Sequence, residues 1–182
     1  MINHIKKIFL FLLVAGISFN LFAQEENPPD VSRFSWGTAL DYLPEGSGSG
    51  ACFEFGFLIF HNDKAQWDIR NHVSFGGVRM HDDDGARNIM FYLNEKISSG
   101  GITRNGLFRS YGFIEGGVGF YESETKKMSE MPLAYRFGFG FGLDIFIRDD
   151  TSFFIESGVN YHIMDAQWLS MPRMTVGLRC HF

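Results

Sequence analysis

Hydrophobic and polar positions alternate along much of the chain, and the last ten residues show the pattern most simply. The apolar set of this segment is Met174, Val176, Leu178, Cys180 and Phe182, and the residues between them are charged, polar or small. A period of two places one set on each face of an extended strand. The pattern therefore predicts a two-faced β-strand that runs to the C-terminal residue.

Segments rich in turn-forming residues, such as PEGSGSG and HDDDGARN, divide the rest of the chain into similar stretches. No stretch rich in Ala, Leu, Glu and Lys shows a helical period. Neighbouring strands are close enough in sequence to form an up-and-down meander. The predicted strands cover residues 33–43, 51–60, 65–80, 89–98, 107–121, 133–147 and 152–164, followed by the terminal strand that ends at Phe182.

The sixth strand distinguishes a membrane barrel from a soluble sheet. One face of this strand carries large apolar side chains, and the opposite face carries Arg136 and Asp144 together with three glycines. Eight strands enclose a narrow interior that large side chains on every strand would overfill, so the bulky face must point outward into lipid. The sequence predicts an all-β, eight-stranded antiparallel up-and-down transmembrane β-barrel rather than a secreted lipocalin-like barrel. The bulky face consists of Leu133, Tyr135, Phe137, Phe139, Phe141, Leu143, Ile145 and Ile147.

The N-terminal segment predicts export across the inner membrane. Two lysines precede the apolar run IFLFLLVAGI, which is too short to span a bilayer as a helix. We expect residues 1–23 to be a cleaved signal peptide and residues 24–182 to form a single domain. Cleavage leaves 14 basic against 21 acidic residues, which argues against a nucleic-acid partner.

The end of the chain carries a specific spacing. Thr175, Gly177, Cys180 and Phe182 supply a polar residue, a glycine two positions later, and apolar residues three and five positions after the glycine. With the alternation, this spacing resembles the small outer-membrane β-barrel proteins, the group that includes the OmpA transmembrane domain, OmpX and OmpW. In that group the barrel-assembly machinery recognises the terminal pattern, with an aromatic residue in place of Cys180.

The resemblance implies an outer-membrane protein that contacts lipid, carries no cofactor and has both termini in the periplasm. The connections HNDK, SGGITRNG and RDDT then become periplasmic turns, of which the middle one is long. The outer loops would be PEGSGSG, HDDDGARN, ESETKKMSEMP and DAQWLSMP. Trp168, in the last of these, could contact an external ligand or anchor the barrel at the interface.

Charged residues in the inward register balance one another. Unpaired charges in so narrow a lumen would be costly, so they predict a paired network that fills the interior. Between neighbouring strands we expect Glu156 to pair with Arg179, and Asp41 with Arg173. The six acids are Asp41, Glu54, Asp68, Glu115, Asp144 and Glu156, and the six bases are Arg70, Lys96, Arg109, Arg136, Arg173 and Arg179.

A plugged lumen favours a structural or surface-interaction role, with a narrow OmpW-like channel as the alternative. A second alternative is a lipid A-modifying enzyme, because His72 and Ser74 resemble the His-x-Ser spacing of the outer-membrane lipid A deacylases. Those enzymes present the pair to lipid, whereas here it falls in the inward register, and Phe75 replaces the asparagine that follows the serine. The sequence therefore predicts that the protein is not an enzyme.

Three further features need a structural answer. The acidic segment 81–85 could hold a divalent cation but is more typical of a solvated loop, so no metal site is predicted. Cys52 and Cys180 fall on opposite faces and at opposite ends of the wall, which predicts two free thiols. Asn71, Arg79 and Glu95 interrupt the apolar outward register, and the candidate causes are bulges, wrong strand boundaries or positions near the interface.

Overall fold

The computed structural model describes residues 32–44, 48–81, 87–123, 126–164 and 167–182. Eight antiparallel strands form one closed barrel in chain order, with the last strand hydrogen-bonded to the first. The predicted fold is therefore confirmed. The signal-peptide prediction for residues 1–23 lies outside the described residues. The strands are β1 (Phe34–Leu43), β2 (Gly48–Asn62), β3 (Trp67–His81), β4 (Arg87–Ile102), β5 (Phe108–Glu122), β6 (Leu133–Arg148), β7 (Thr151–Met164) and β8 (Gln167–His181).

The barrel is inverted relative to a soluble protein. Leu40, Phe75 and Ile114 are each about 60% exposed on the outer wall, whereas Asp68 and Ser152 are fully buried inside. A wall of this kind is stable only where hydrocarbon replaces water outside, and closure leaves no unpaired strand edge in that hydrocarbon. A short 3₁₀ helix, Met128–Glu130, follows β5, and none of the described helices is long and apolar enough to cross a bilayer.

The strands are strongly tilted against the barrel axis. Thr38 pairs directly with Leu178, but successive ladder partners followed around the other six strands reach β8 at Trp168, ten residues away. A shear of this size in an eight-stranded barrel corresponds to a tilt of about 35–45°. Following ladder partners from β1 to β8 therefore leads to a position ten residues closer to the start of β8. We call the end that holds Phe34 and His181 the periplasmic end, after the predicted orientation, and the opposite end the outer end.

Several strands are longer than the sequence predicted, and two predicted loops shrink. β2 begins at Gly48, because the segment that reads as a glycine-serine loop pairs with both β1 and β3. A Cβ at Gly48 would lie 1.9 Å from the carbonyl oxygen of Arg79, so this approach requires glycine. β8 begins at Gln167, which places Trp168 in a strand opposite Ile163 rather than in an outer loop.

The connection between β4 and β5 is also shorter than predicted. β4 continues to Ile102, which pairs with Arg109, so only residues 103–107 remain between the strands. The Gly106 amide donates to the Thr103 carbonyl over 2.8 Å, and Gly106 has a φ of 70° that favours glycine. The predicted long periplasmic turn is therefore a tight one, as the other two are.

Two of the three off-register residues lie inside regular strands of the β3–β4 ladder, which runs without a register shift from Trp67 to His81, so wrong strand boundaries do not account for them. No bulge lies beside Glu95 in either of its ladders, whereas the β2–β3 ladder shifts register between Leu58 and Phe60, next to the partner of Asn71. Both lie well inside their strands. Arg79, in contrast, lies near the outer end of β3, so a position near the interface stays the predicted cause for this residue.

Candidate functional site: the sealed lumen

The lumen contains every charged residue that the sequence assigned to it. The strands position them by alternation, since each inward residue lies between two residues of the outward register. None of the twelve side chains belongs to a residue more than 6% exposed. They are Asp41, Glu54, Asp68, Arg70, Lys96, Arg109, Glu115, Arg136, Asp144, Glu156, Arg173 and Arg179.

At the periplasmic end, two carboxylates hold two arginines. The Asp68 carboxylate lies 2.9 Å from the Arg70 guanidinium and 2.7 Å from that of Arg109. Arg109 also reaches Asp144, at 3.3 Å. Asp144 in turn accepts a hydrogen bond of 2.5 Å from Arg179, which links this group to the centre of the lumen.

Arg179 has the largest set of carboxylate partners at the centre. Besides Asp144, its guanidinium donates to Glu54 and, over 3.1 Å, to Glu156. The guanidinium carbon lies 3.7 Å from the ring centroid of Phe154, a stacked cation–π geometry. Lys96 bridges the same two glutamates, at 3.2 Å from Glu54 and 2.5 Å from Glu156.

Toward the outer end, Glu115 holds two arginines. Arg136 lies 3.0 Å from it, and Arg173 approaches both of its oxygens, at 3.1 and 3.3 Å. Arg173 also reaches Glu156 at 3.5 Å, which joins this group to the centre. All twelve charges therefore belong to one continuous network of ion pairs through the lumen.

The two ion pairs predicted between neighbouring strands differ in quality. Glu156 and Arg179 are in contact at 3.1 Å, as predicted. Asp41 and Arg173 are 3.8 Å apart, at the limit of an ion pair. Asp41 instead accepts hydrogen bonds from the hydroxyls of Thr175, at 2.6 Å, and Tyr92, at 3.2 Å. Because these hydroxyls satisfy Asp41, Arg173 is free to cross the lumen to Glu115.

The outer mouth of the lumen is closed by apolar side chains, which the sequence analysis missed. Met80 and Met90 are completely buried there, and Cys52 and Leu169 pack against the same cluster. The sequence does contain a pattern that could have predicted this cluster: the inward positions change from charged to apolar at the outer ends of β3, β4, β7 and β8. The cluster consists of Leu43, Val78, Met80, Met90, Tyr92, Tyr121, Ala134, Met164 and Met171.

His72 and Ser74 face the lumen, as their register predicted. His72 is 1% exposed and Ser74 8%, so neither side chain is presented to lipid on the outer wall. Among the residues that the structure describes, none forms a hydrogen bond with the Nδ1 atom of His72. A lipid substrate would have to pass through the wall to reach this pair.

The cysteines are free, as predicted. Cys52 packs against the apolar cluster near the outer end, whereas Cys180 faces outward near the periplasmic end, opposite Trp36. Of the acidic segment 81–85, only His81 lies among the described residues. Within the described part of the chain, no group of three histidine, cysteine, aspartate or glutamate side chains is arranged to hold a metal ion.

The C-terminal pattern is built into the closing strand pair. The backbone of Phe182 both donates to and accepts from Phe34, at 3.0 Å each, and the two rings stack at 6.3 Å. Thr175 and Gly177 face the lumen, and a Cβ at Gly177 would lie 2.4 Å from the Thr38 carbonyl oxygen. The recognition of this pattern by the barrel-assembly machinery stays a prediction.

Comparisons with known proteins bear on the fold. No family model and no curated protein matches the chain. Neisserial surface protein A matches with a TM-score of 0.54 at 11% identity, over 82% of this chain and 96% of that one. The outer membrane enzyme PagL matches at 0.49 and 9%, over 81% and 99%, and Ail, the attachment invasion locus protein of Yersinia pestis, at 0.47 and 15%, over 83% and 97%.

At these identities the likeness is one of fold. The closed antiparallel barrel, its apolar outer wall and its polar interior are those of the small eight-stranded outer-membrane barrels. The chain is a closed eight-stranded β-barrel with the exposed apolar wall of a membrane-spanning barrel.

Proposed function

We propose that this protein is a sealed, non-conducting barrel with a structural or surface-interaction role in the outer membrane. The observation that carries the proposal is the filled lumen. A continuous ion-pair network occupies its length, and the apolar cluster around Met80 and Met90 closes its outer mouth. A permeating ion would have to break buried ion pairs and then cross a dry apolar constriction.

The outer end of the barrel offers the surface for such a role. Trp168 is 70% exposed and Leu133 is 57% exposed. Both residues lie at the outer ends of their strands. Exposed aromatic and aliphatic side chains at this position favour contact with an external ligand or with the interfacial part of the lipid. The protein then acts through its outside rather than through its interior.

A planar-bilayer measurement tests the sealed lumen. The refolded mature protein should add no conductance steps at neutral pH, while a porin of known conductance in the same bilayer serves as the positive control. Steady unitary steps from the protein would support the narrow-channel alternative and overturn the proposal.

Incubation with lipid A, followed by mass spectrometry, tests the enzyme alternative. Because His72 and Ser74 lie inside the lumen, we expect the same lipid A species with the native protein and with Ser74→Ala. A new product that disappears with Ser74→Ala would contradict the proposed role and establish an enzyme.

A further inference from the structure

The apolar cluster at the outer mouth is rich in sulfur. Four of its nine residues are methionines, namely Met80, Met90, Met164 and Met171, and the Cys52 side chain packs against the cluster. The chain has 21 phenylalanines, yet none of them belongs to this cluster. Methionine fills irregular gaps in a core, but its thioether sulfur is also a ligand for soft metal ions. The outer mouth therefore gathers side chains of a kind that binds soft cations.

His162 lies at the inner edge of the apolar cluster and has unused hydrogen-bonding capacity. Its residue is 1% exposed, and among the residues that the structure describes none forms a hydrogen bond with its Nδ1 or Nε2 atom. No other described histidine has two buried ring nitrogens without a partner. Buried polar groups are normally paired, and a neutral imidazole always offers one nitrogen lone pair. That lone pair is available to a ligand that the protein itself does not supply.

The strand register places His162 beside two of the methionines. His162 and Met164 point inward from β7 and are two positions apart, which separates their Cα atoms by about 7 Å. Met171 of β8 pairs with Asn160, the preceding inward residue of β7, so Met171 is a diagonal neighbour of His162. Diagonal neighbours on one face lie about 7–8 Å apart, within reach of long side chains. One imidazole and two thioethers thus share the same part of the mouth.

We propose that His162, Met164 and Met171 form a binding site for a monovalent soft cation, Cu(I) or Ag(I). Such ions select thioether and imidazole ligands, whereas Zn²⁺ takes thiolate, imidazole and carboxylate ligands. Met80 and Met90, on β3 and β4 across the mouth, belong to the same cluster and can supply further sulfur ligands. Without metal, the four thioethers pack as ordinary apolar side chains.

The site is compatible with the ion-pair network below it. Arg136, the ladder partner of His162, contacts Glu115 at 3.0 Å, so its positive charge is already compensated. The cluster lies at the outer end, and methionine side chains are flexible enough to let an ion enter from that side. A bound ion does not have to cross the lumen. The site therefore adds a ligand to the proposed sealed barrel and does not depend on that function.

Silver binding to the refolded mature protein tests the site, because Ag⁺ takes the same soft ligands as Cu(I) and is stable in air. Thiols bind Ag⁺ themselves, so the measurements use a Cys52→Ser and Cys180→Ser background. Equilibrium dialysis followed by metal analysis should give one bound Ag⁺ per barrel, and excess Zn²⁺ should not displace it. Absence of bound Ag⁺ from the folded protein, or displacement by Zn²⁺, would overturn the proposal.

Substitutions of similar volume locate the ion. Met164→Leu combined with Met171→Leu, and His162→Gln alone, should each weaken Ag⁺ binding at least about tenfold, because each removes a ligand. The matched control is Met131→Leu combined with Met174→Leu, which removes two exposed methionines and should leave the affinity unchanged. Circular dichroism confirms that each variant is folded. Equal affinities of the folded ligand variants and the control would exclude the site.

Methionine methyl resonances test the same site without substituting a ligand. In protein with ¹³C-labelled methionine methyl groups, Ag⁺ should shift the signals of Met164 and Met171. The signals of the exposed Met131 and Met174 should not move. Shifts confined to the exposed methionines would show that silver binds outside the mouth and would refute the assignment.

Discussion

The centre of the lumen and its outer mouth both exclude water, but they do so with different chemistry. The centre is held by charges that each depend on a specific partner, with Arg179 in contact with three carboxylates. The mouth is filled by flexible apolar side chains such as Met80 and Met90, which depend on shape and volume only. One lumen is thus sealed both by ion pairs, which depend on direction, and by apolar contacts, which do not. The centre and the mouth should therefore respond differently to substitution.

The largest effect should come from the centre. Arg179→Ala leaves Glu54, Asp144 and Glu156 without their shared cation, so we expect the free energy of unfolding to fall by about 3–5 kcal/mol. Urea unfolding in detergent measures the loss. Arg148→Ala, at an exposed position at the end of β6, should change stability by less than about 0.5 kcal/mol. Similar losses for both variants would show that the network contributes nothing specific.

Substitution at the mouth should cost less and depend on volume. Met90→Ala removes a completely buried side chain, and we expect a loss of about 2–3 kcal/mol in the same unfolding assay. Met90→Leu conserves the volume and should cost less than about 1.5 kcal/mol. If Met90→Leu is as harmful as Met90→Ala, the mouth depends on directional contacts and the contrast with the centre fails.

The next effect in order of expected size is the coupling energy between Arg179 and Glu156. Their contact of 3.1 Å predicts that Arg179→Ala and Glu156→Gln together destabilise the barrel by clearly less than the sum of the two single changes. A double-mutant cycle in urea should give a coupling energy of about 1–3 kcal/mol. Additivity within about 0.5 kcal/mol would mean that the two side chains do not interact.

The smallest effect should belong to Asp41 and Arg173. These groups are 3.8 Å apart, and Asp41 already accepts hydrogen bonds from Thr175 and Tyr92. A cycle of Asp41→Asn and Arg173→Gln should therefore give a coupling energy below about 0.5 kcal/mol. A value equal to that of Glu156 with Arg179 would show that distance does not rank the pairs of this lumen.

The sequence predicted the fold and the inward charges because both depend on a period of two, which a single strand displays by itself. Strand ends were predicted less well, since Gly48 and Trp168 extend their strands through hydrogen bonds to neighbouring strands that composition does not reveal. The apolar mouth was missed for a different reason. Met80, Met90 and Met164 lie at the ends of predicted strands, and no single strand shows that apolar side chains from several strands meet there across the lumen.

The contact between Asn71 and Glu95 could not be predicted from one strand. The two residues are 24 positions apart, and only the register of β3 against β4 brings them together on the outer face. Which partner a charge selects is likewise a property of the closed barrel. Arg173 contacts Glu115 on β5 because the lumen is narrow enough for a side chain to cross it.

The position of Arg179 has a consequence for the order of assembly. It is contributed by β8, the last strand of the barrel in chain order, yet its partners Glu54, Asp144 and Glu156 belong to β2, β6 and β7. A sheet that lacks β8 holds the six inward acids against only four inward bases, because Arg173 is missing as well. Pairing of β8 with β1 and β7 therefore both closes the wall and completes the charge balance of the interior. We expect a barrel chain that lacks β8 to keep an excess of negative charge among its inward side chains.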